Sequence, residues 1–148
     1  VMVHIRDSQL LHLADESNGP CGAMHDADQL KILTALSHAA TLVESGRVEV
    51  LTEGHLFRVN RGADALARAE AFLDQAAALD ARVHESLAGL AEPPEVATFT
   101  ETLTEAYASL GAEGGNPSPM FLAMMAGNTL RELGMVPNGR DENGGDLA

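Results

Sequence analysis

The chain has 148 residues, 45% of them hydrophobic and 21% charged, which is enough to bury one core without disulfides or a structural metal; with only 3% aromatics and no Trp, that core must be aliphatic. The net charge of −13, from 22 acids against 9 bases, makes the molecule as a whole repel phosphate backbones, so nucleic acid is a disfavoured partner. A single cysteine, Cys21, excludes an internal disulfide framework; with no basic-then-apolar leader and no run of about 18 apolar residues, a soluble, intracellular, cytoplasmic protein with no membrane contact is expected.

Residues 3–15 read as a short amphipathic helix with Ile5, Leu10 and Leu13 inward, or as an N-terminal arm. The breaker-rich stretch 17–22 is a loop. Asp26 or Asp28 then caps a helix whose apolar positions Leu30, Leu33, Leu36, Ala40 and Val43 keep helical spacing, and Gly46 supplies its stop. After Gly46 the period changes. Val48, Val50, Leu56, Phe57 and Val59 around Glu53-Gly54 fit a β-hairpin, which should lie against the helices or pair with another chain.

The longest helical pattern runs over residues 62–90, with Asp64 in its first turn and Pro93-Pro94 beyond its end. Its apolar residues Ala65, Ala69, Phe72, Ala76, Leu79, Val83 and Leu90 follow steps of four and three, interrupted only at Ser86, which is a heptad seam. At about 1.5 Å per residue such a helix is roughly 43 Å long, more than a small domain needs, so part of it is expected to meet something besides a local core.

A further helix over 94–110 carries the stripe Val96, Phe99, Leu103, Tyr107 and Leu110 and stops at Gly111. Residues 111–119 form a loop, and Ser118-Pro119 starts a last helix, apolar all round from Met120 to Ala126 and stopped by Gly134. The expected fold is therefore mostly α: four to five helices around one long heptad-patterned helix, with one short β-hairpin. A single domain covers 1–136, and 137–148 is a disordered acidic tail.

Six histidines and one cysteine raise metal binding, and the tightest donor group is His12, Asp15, Cys21 and His25, joining a helical His-x2-Asp to a Cys-x3-His. The spacing matches no zinc-finger signature, and the competing reading is surface histidines beside a small buried cysteine, with no cofactor. Cys21 with His25 or His12 lacks an oxyanion site, and no Glu-x-x-His pair serves a di-iron centre, so no enzyme signature is present. Arg47, Arg58, Arg61 and Arg68 gather in one short region, the one place for a phosphate contact; the alternative is solvated pairs with Glu49, Asp64 and Glu70. Between Arg82 and Arg131 there is no Lys or Arg at all. Met120, Phe121, Met124 and Met125 form the most distinctive apolar cluster, read as core, subunit interface or ligand pocket.

At the C-terminal end, GNPSPMFLAMMAGNTLRELGMVPNGRDE resembles the closing segment of the P27-type small terminase subunits of tailed bacteriophages, through Asn116-Pro117, Leu130, Glu132-Leu133-Gly134, Pro137 and Arg140. The resemblance implies a ring-forming, non-enzymatic DNA-packaging subunit that recognises phage DNA and stimulates a separate motor ATPase. The chain departs from it in its acidic balance and in having Arg6 as the sole Lys or Arg among its first 30 residues.

The expected function is that of a non-enzymatic, self-associating helical protein acting through protein–protein contact or assembly, with the seam Ala65, Ala69, Phe72, Ala76, Leu79 and Val83 and the Met120–Met125 cluster as interface. The terminase-like subunit and a ligand- or metal-responsive regulatory domain are the alternatives.

Overall fold

A computed structural model describes residues 2–14, 29–54, 58–110 and 118–135. The chain is mostly helical. In order, its elements are β1 (Val3–Ile5), a 3-10 turn (Arg6–Ser8), β2 (Leu10–His12), α1 (Gln29–Glu44), β3 (Val50–Thr52), β4 (Val59–Arg61), α2 (Ala63–Leu87), α3 (Val96–Leu110) and α4 (Pro119–Glu132). The expected loop at 17–22, the caps Asp26 and Asp28, the strand residues Leu56 and Phe57, the loop at 111–117 and the tail at 137–148 lie outside the described residues.

The segment expected over 3–15 as a short helix or an N-terminal arm forms, over its described residues, an antiparallel pair of strands. Ile5, Leu10 and Leu13 fit helical spacing, but Leu11 and Leu13 are the fully buried pair while Ile5 is 49% exposed, which is the alternation of a strand. Gln9, at φ 46°, turns the chain between the two strands. The expected hairpin is therefore half of a four-stranded sheet in the order β1-β2-β3-β4: antiparallel, parallel, antiparallel. The parallel β2/β3 pair requires a crossover, and α1 is that crossover.

Helix α1 ends where Gly46, at φ 70°, takes the left-handed conformation, and its amide donates to the Val43 carbonyl at 3.0 Å. Helix α4 begins at Ser118, whose hydroxyl accepts from the Phe121 amide at 3.4 Å, with Pro119 in the first turn.

Two cores share one helix. The first joins Leu11, Leu13 and Leu51 of the sheet layer to Leu36, Ala39 and Leu42 of α1 and to Ala65, Ala69, Phe72 and Ala76 of α2. The second joins Leu79, Val83 and Leu87, farther along α2, to Phe99, Leu103 and Tyr107 of α3 and to Leu122, Met125, Ala126 and Leu130 of α4. The small side chains at Ala65, Ala69 and Ala76 let α1 and the sheet approach α2 closely, whereas the larger Leu79 and Val83 fill the space between α2 and the α3–α4 pair. A 25-residue helix spans both layers, which accounts for a length that one local core does not need.

Candidate functional site

Where the structure places the expected interface residues decides which surfaces remain open. The seam is turned inward within the chain: Ala65, Ala69, Phe72, Ala76, Leu79 and Val83 are all at most 5% exposed. Leu87, which the four-three count passed over, is buried with them, and Leu90 lies beyond the helix at 47% exposure. The Met cluster divides. Leu122 and Met125 are core, Met124 is half-buried, and Met120 and Phe121 stand 65% and 40% exposed on the first turn of α4.

The four arginines serve different ends of the β3–β4 hairpin. Arg68 reaches back from α2 to Glu53, with Nε donating to Oε1 at 2.8 Å and Nη2 to Oε2 at 3.0 Å, a bidentate pair. Asn60 Nδ2 adds a third bond to Oε1 at 2.9 Å, and the Arg68 guanidinium lies 4.3 Å over the Phe72 ring. Burial of Glu53, which is 3% exposed, pushes its carboxyl upward; the bonds from Arg68 and Asn60 and the charges of Arg68 and Arg58 outweigh that and hold it below its ordinary value. This node ties the hairpin to α2 and consumes Arg68. Arg58 is exposed beside the same end of the hairpin, its carbonyl accepting from the Glu53 amide at 3.2 Å. Arg47 and Arg61 are exposed at the opposite end, near Val50. A single four-arginine phosphate patch is therefore not formed, because one member is turned into the core and the others are divided by the length of the strands.

Of the metal-donor group, His12 is the one described member; it lies on β2, with Nδ1 at 2.9 Å from Thr52 Oγ1 across the sheet. Asp15, Cys21 and His25 lie outside the described residues. Among the described residues no three His, Cys, Asp or Glu side chains gather into a group that could hold a metal ion. A cleft beside the second core is lined by Gln29, Leu79, Val83, His84, Leu103 and Thr129, and none of the Met cluster faces it. His84 Nδ1 there donates to the Asp80 carbonyl at 2.9 Å. No described helix is long and apolar enough to cross a membrane.

A surface that sequence reading missed is the outer face of the sheet. The register aligns His4, Leu11, Leu51 and Asn60 in one row across all four strands, with Leu11 and Leu51 buried against the helices. The residues on either side of that row point the other way. They make two parallel rows, Ile5–Leu10–Val50–Arg61 and Val3–His12–Thr52–Val59. Val3, Ile5 and Val59 are 47%, 49% and 58% exposed, and Leu10 and Val50 on the central strands are half-buried. Five aliphatic side chains thus face outward in two adjacent rows. In a chain with 22 acids, these rows contain none. The alternation of Val3 and Ile5 carried a signal for β1, but the rows join residues more than forty positions apart and have no local signature.

No protein-family model matches the chain, and neither a curated protein nor a solved structure is similar to it.

Proposed function

We propose that this is a non-enzymatic protein that works by association with protein, and that it self-associates. One observation carries the reading: among the described residues, an acid-free aliphatic sheet face stands outside while the helices pack on the sheet's other side. A sheet is normally buried on its apolar faces by another layer, and an apolar centre rimmed by charge is the anatomy of a protein contact. The long helix supports the reading in a different way from the one its spacing suggested. Its seam is occupied by the chain's own two cores, so it acts as the rigid spine that holds the sheet layer and the α3–α4 pair while leaving the sheet's outer side available.

Native mass spectrometry and sedimentation of the purified chain test the reading. Reversible oligomers that grow with protein concentration are expected; a monomer at every concentration overturns the self-association.

A further inference from the structure

The outer rows of the sheet identify their own partner. We infer that the sheet face docks on the same face of a second copy of this chain, with the two-fold axis parallel to the strands. The inference rests on the association reading above and adds its partner and geometry.

Two sheets packing face to face keep their strands roughly aligned and about 10 Å apart. A two-fold axis lying between them has two simple orientations. An axis across the strands sets one row on the other, bringing Leu10 onto His12 and Val50 onto Thr52, so apolar side chains meet polar ones at the centre. An axis along the strands sets each row on itself in reverse. Leu10 then meets Val50 of the second copy and Val50 meets its Leu10, Val3 meets Val59, and His12 meets Thr52. Leu10 and Val50 meet at the centre of one row and Val3 and Val59 at the ends of the other, His12 faces Thr52, and Ile5 alone meets a charged side chain, Arg61, at the rim.

Charge agrees with that choice. Arg61, the one Lys or Arg in the rows, meets Ile5 of the second copy, whose exposed Asp7 lies two residues farther along. It never meets another Arg61. The contact is self-complementary, as a closed two-fold interface requires, and two chains of net charge −13 meet where neither row presents an acid.

Size sets the strength. Four strands about 4.8 Å apart and three residues of about 3.3 Å give a flat footprint of roughly 200 Å², far below the about 800 Å² per partner of a standard complex. The dimer is therefore reversible and must be observed at high concentration.

The test uses the full chain in a Cys21→Ser background with Val3→Cys and Val59→Cys. Within one chain these positions are three strand spacings apart, about 14 Å, too far for a disulfide or for a short thiol-reactive linker of about 5 Å. Across the two-fold axis they face each other. Facing sheets stand about 10 Å apart, so such a linker, rather than a disulfide, should join the double variant into a covalent dimer. An equimolar mixture of the two single variants should give a heterodimer, and each single variant alone should not cross-link. Sedimentation should show Val59→Lys dimerising at least tenfold more weakly with unchanged circular dichroism; Arg61→Asp should weaken the dimer and Asp7→Arg should restore it in that background. A concentration-dependent dimer without the Val3–Val59 cross-link leaves the association reading standing and overturns this face. Monomer throughout overturns both.

Discussion

Removing Arg68 isolates a buried charge. In Arg68→Met the Glu53 carboxylate keeps the Asn60 bond but loses both guanidinium bonds and its nearest positive charge, and Phe72 loses the cation stacked on its ring. The Glu53 side chain is 0% exposed and that of Arg68 15%, so solvent cannot replace the lost partner. Breaking a pair buried to this degree costs about 3–5 kcal/mol, most of it the penalty of the stranded carboxylate. At about 2–4 °C per kcal/mol for a chain near this length, the melting temperature should fall by roughly 10 °C. Urea unfolding at pH 7 measures the loss, and Glu53→Gln in the same background should recover most of it by removing the stranded charge. The pH dependence has a definite sign. The folded carboxyl titrates below its ordinary value of 4.5, so the folded state takes up that proton later than the unfolded one. Its contribution is fully present above the unfolded value and is lost as the pH falls through the folded one, so the gap between wild type and Arg68→Met should close in acid. A loss under about 1 kcal/mol at pH 7, the size of a surface pair, would refute the node as the hairpin's anchor, as would a double variant no better than the single one.

Phe72→Ala and Leu79→Ala should each destabilise the isolated chain, by about 3–5 and 2–5 kcal/mol, because one fills the first core and the other the second; denaturant melts at low protein concentration check this. Gly54→Ala should also destabilise, by about 1–3 kcal/mol, since a Cβ there would stand 2.6 Å from the Ala14 carbonyl oxygen, a backbone atom that cannot swing aside. Fluorescence anisotropy with duplex DNA at about 50 mM salt should show no binding, given the net charge and the divided arginines; tight binding that weakens steeply with salt and is lost in Arg47→Ala with Arg61→Ala would restore the DNA-packaging reading.

Helices were the legible part of this sequence because their signals are local. The stripe Val96, Phe99, Leu103 and Tyr107, the Ser118-Pro119 start and the stops at Gly46 and Gly134 each lie within a turn or two of what they specify. Spacing along the long helix identified six of its buried residues, from Ala65 to Val83, while passing over Leu87 and taking in the exposed Leu90, but not what buries them. A seam for a second chain and a stripe shared by two cores follow the same three-four count; the change from Ala65, Ala69 and Ala76 to Leu79, Val83 and Leu87 was the trace of the change of partner. Three-residue strands defeat periodicity altogether: over such a length Ile5, Leu10 and Leu13 suit a helix while Leu11 and Leu13 suit a strand, and it is pairing with Val50 and Leu51, forty residues on, that decides. The outer face depends on that pairing in all four strands, so it was the least legible feature. In the sequence the Met cluster looks like one unit, yet Met125 and Met120 sit on different sides of α4, one in the core and one in solvent.

The most direct measurement of the account is hydrogen exchange read by mass spectrometry at low and high protein concentration. Amides of α2 from Ala65 to Val83 should be protected equally at both, because the chain's own cores bury that face, while β1 to β4 should gain protection as concentration rises. Protection of α2 that appears only at high concentration, with the strands unchanged, would contradict it and return the interface to the helix.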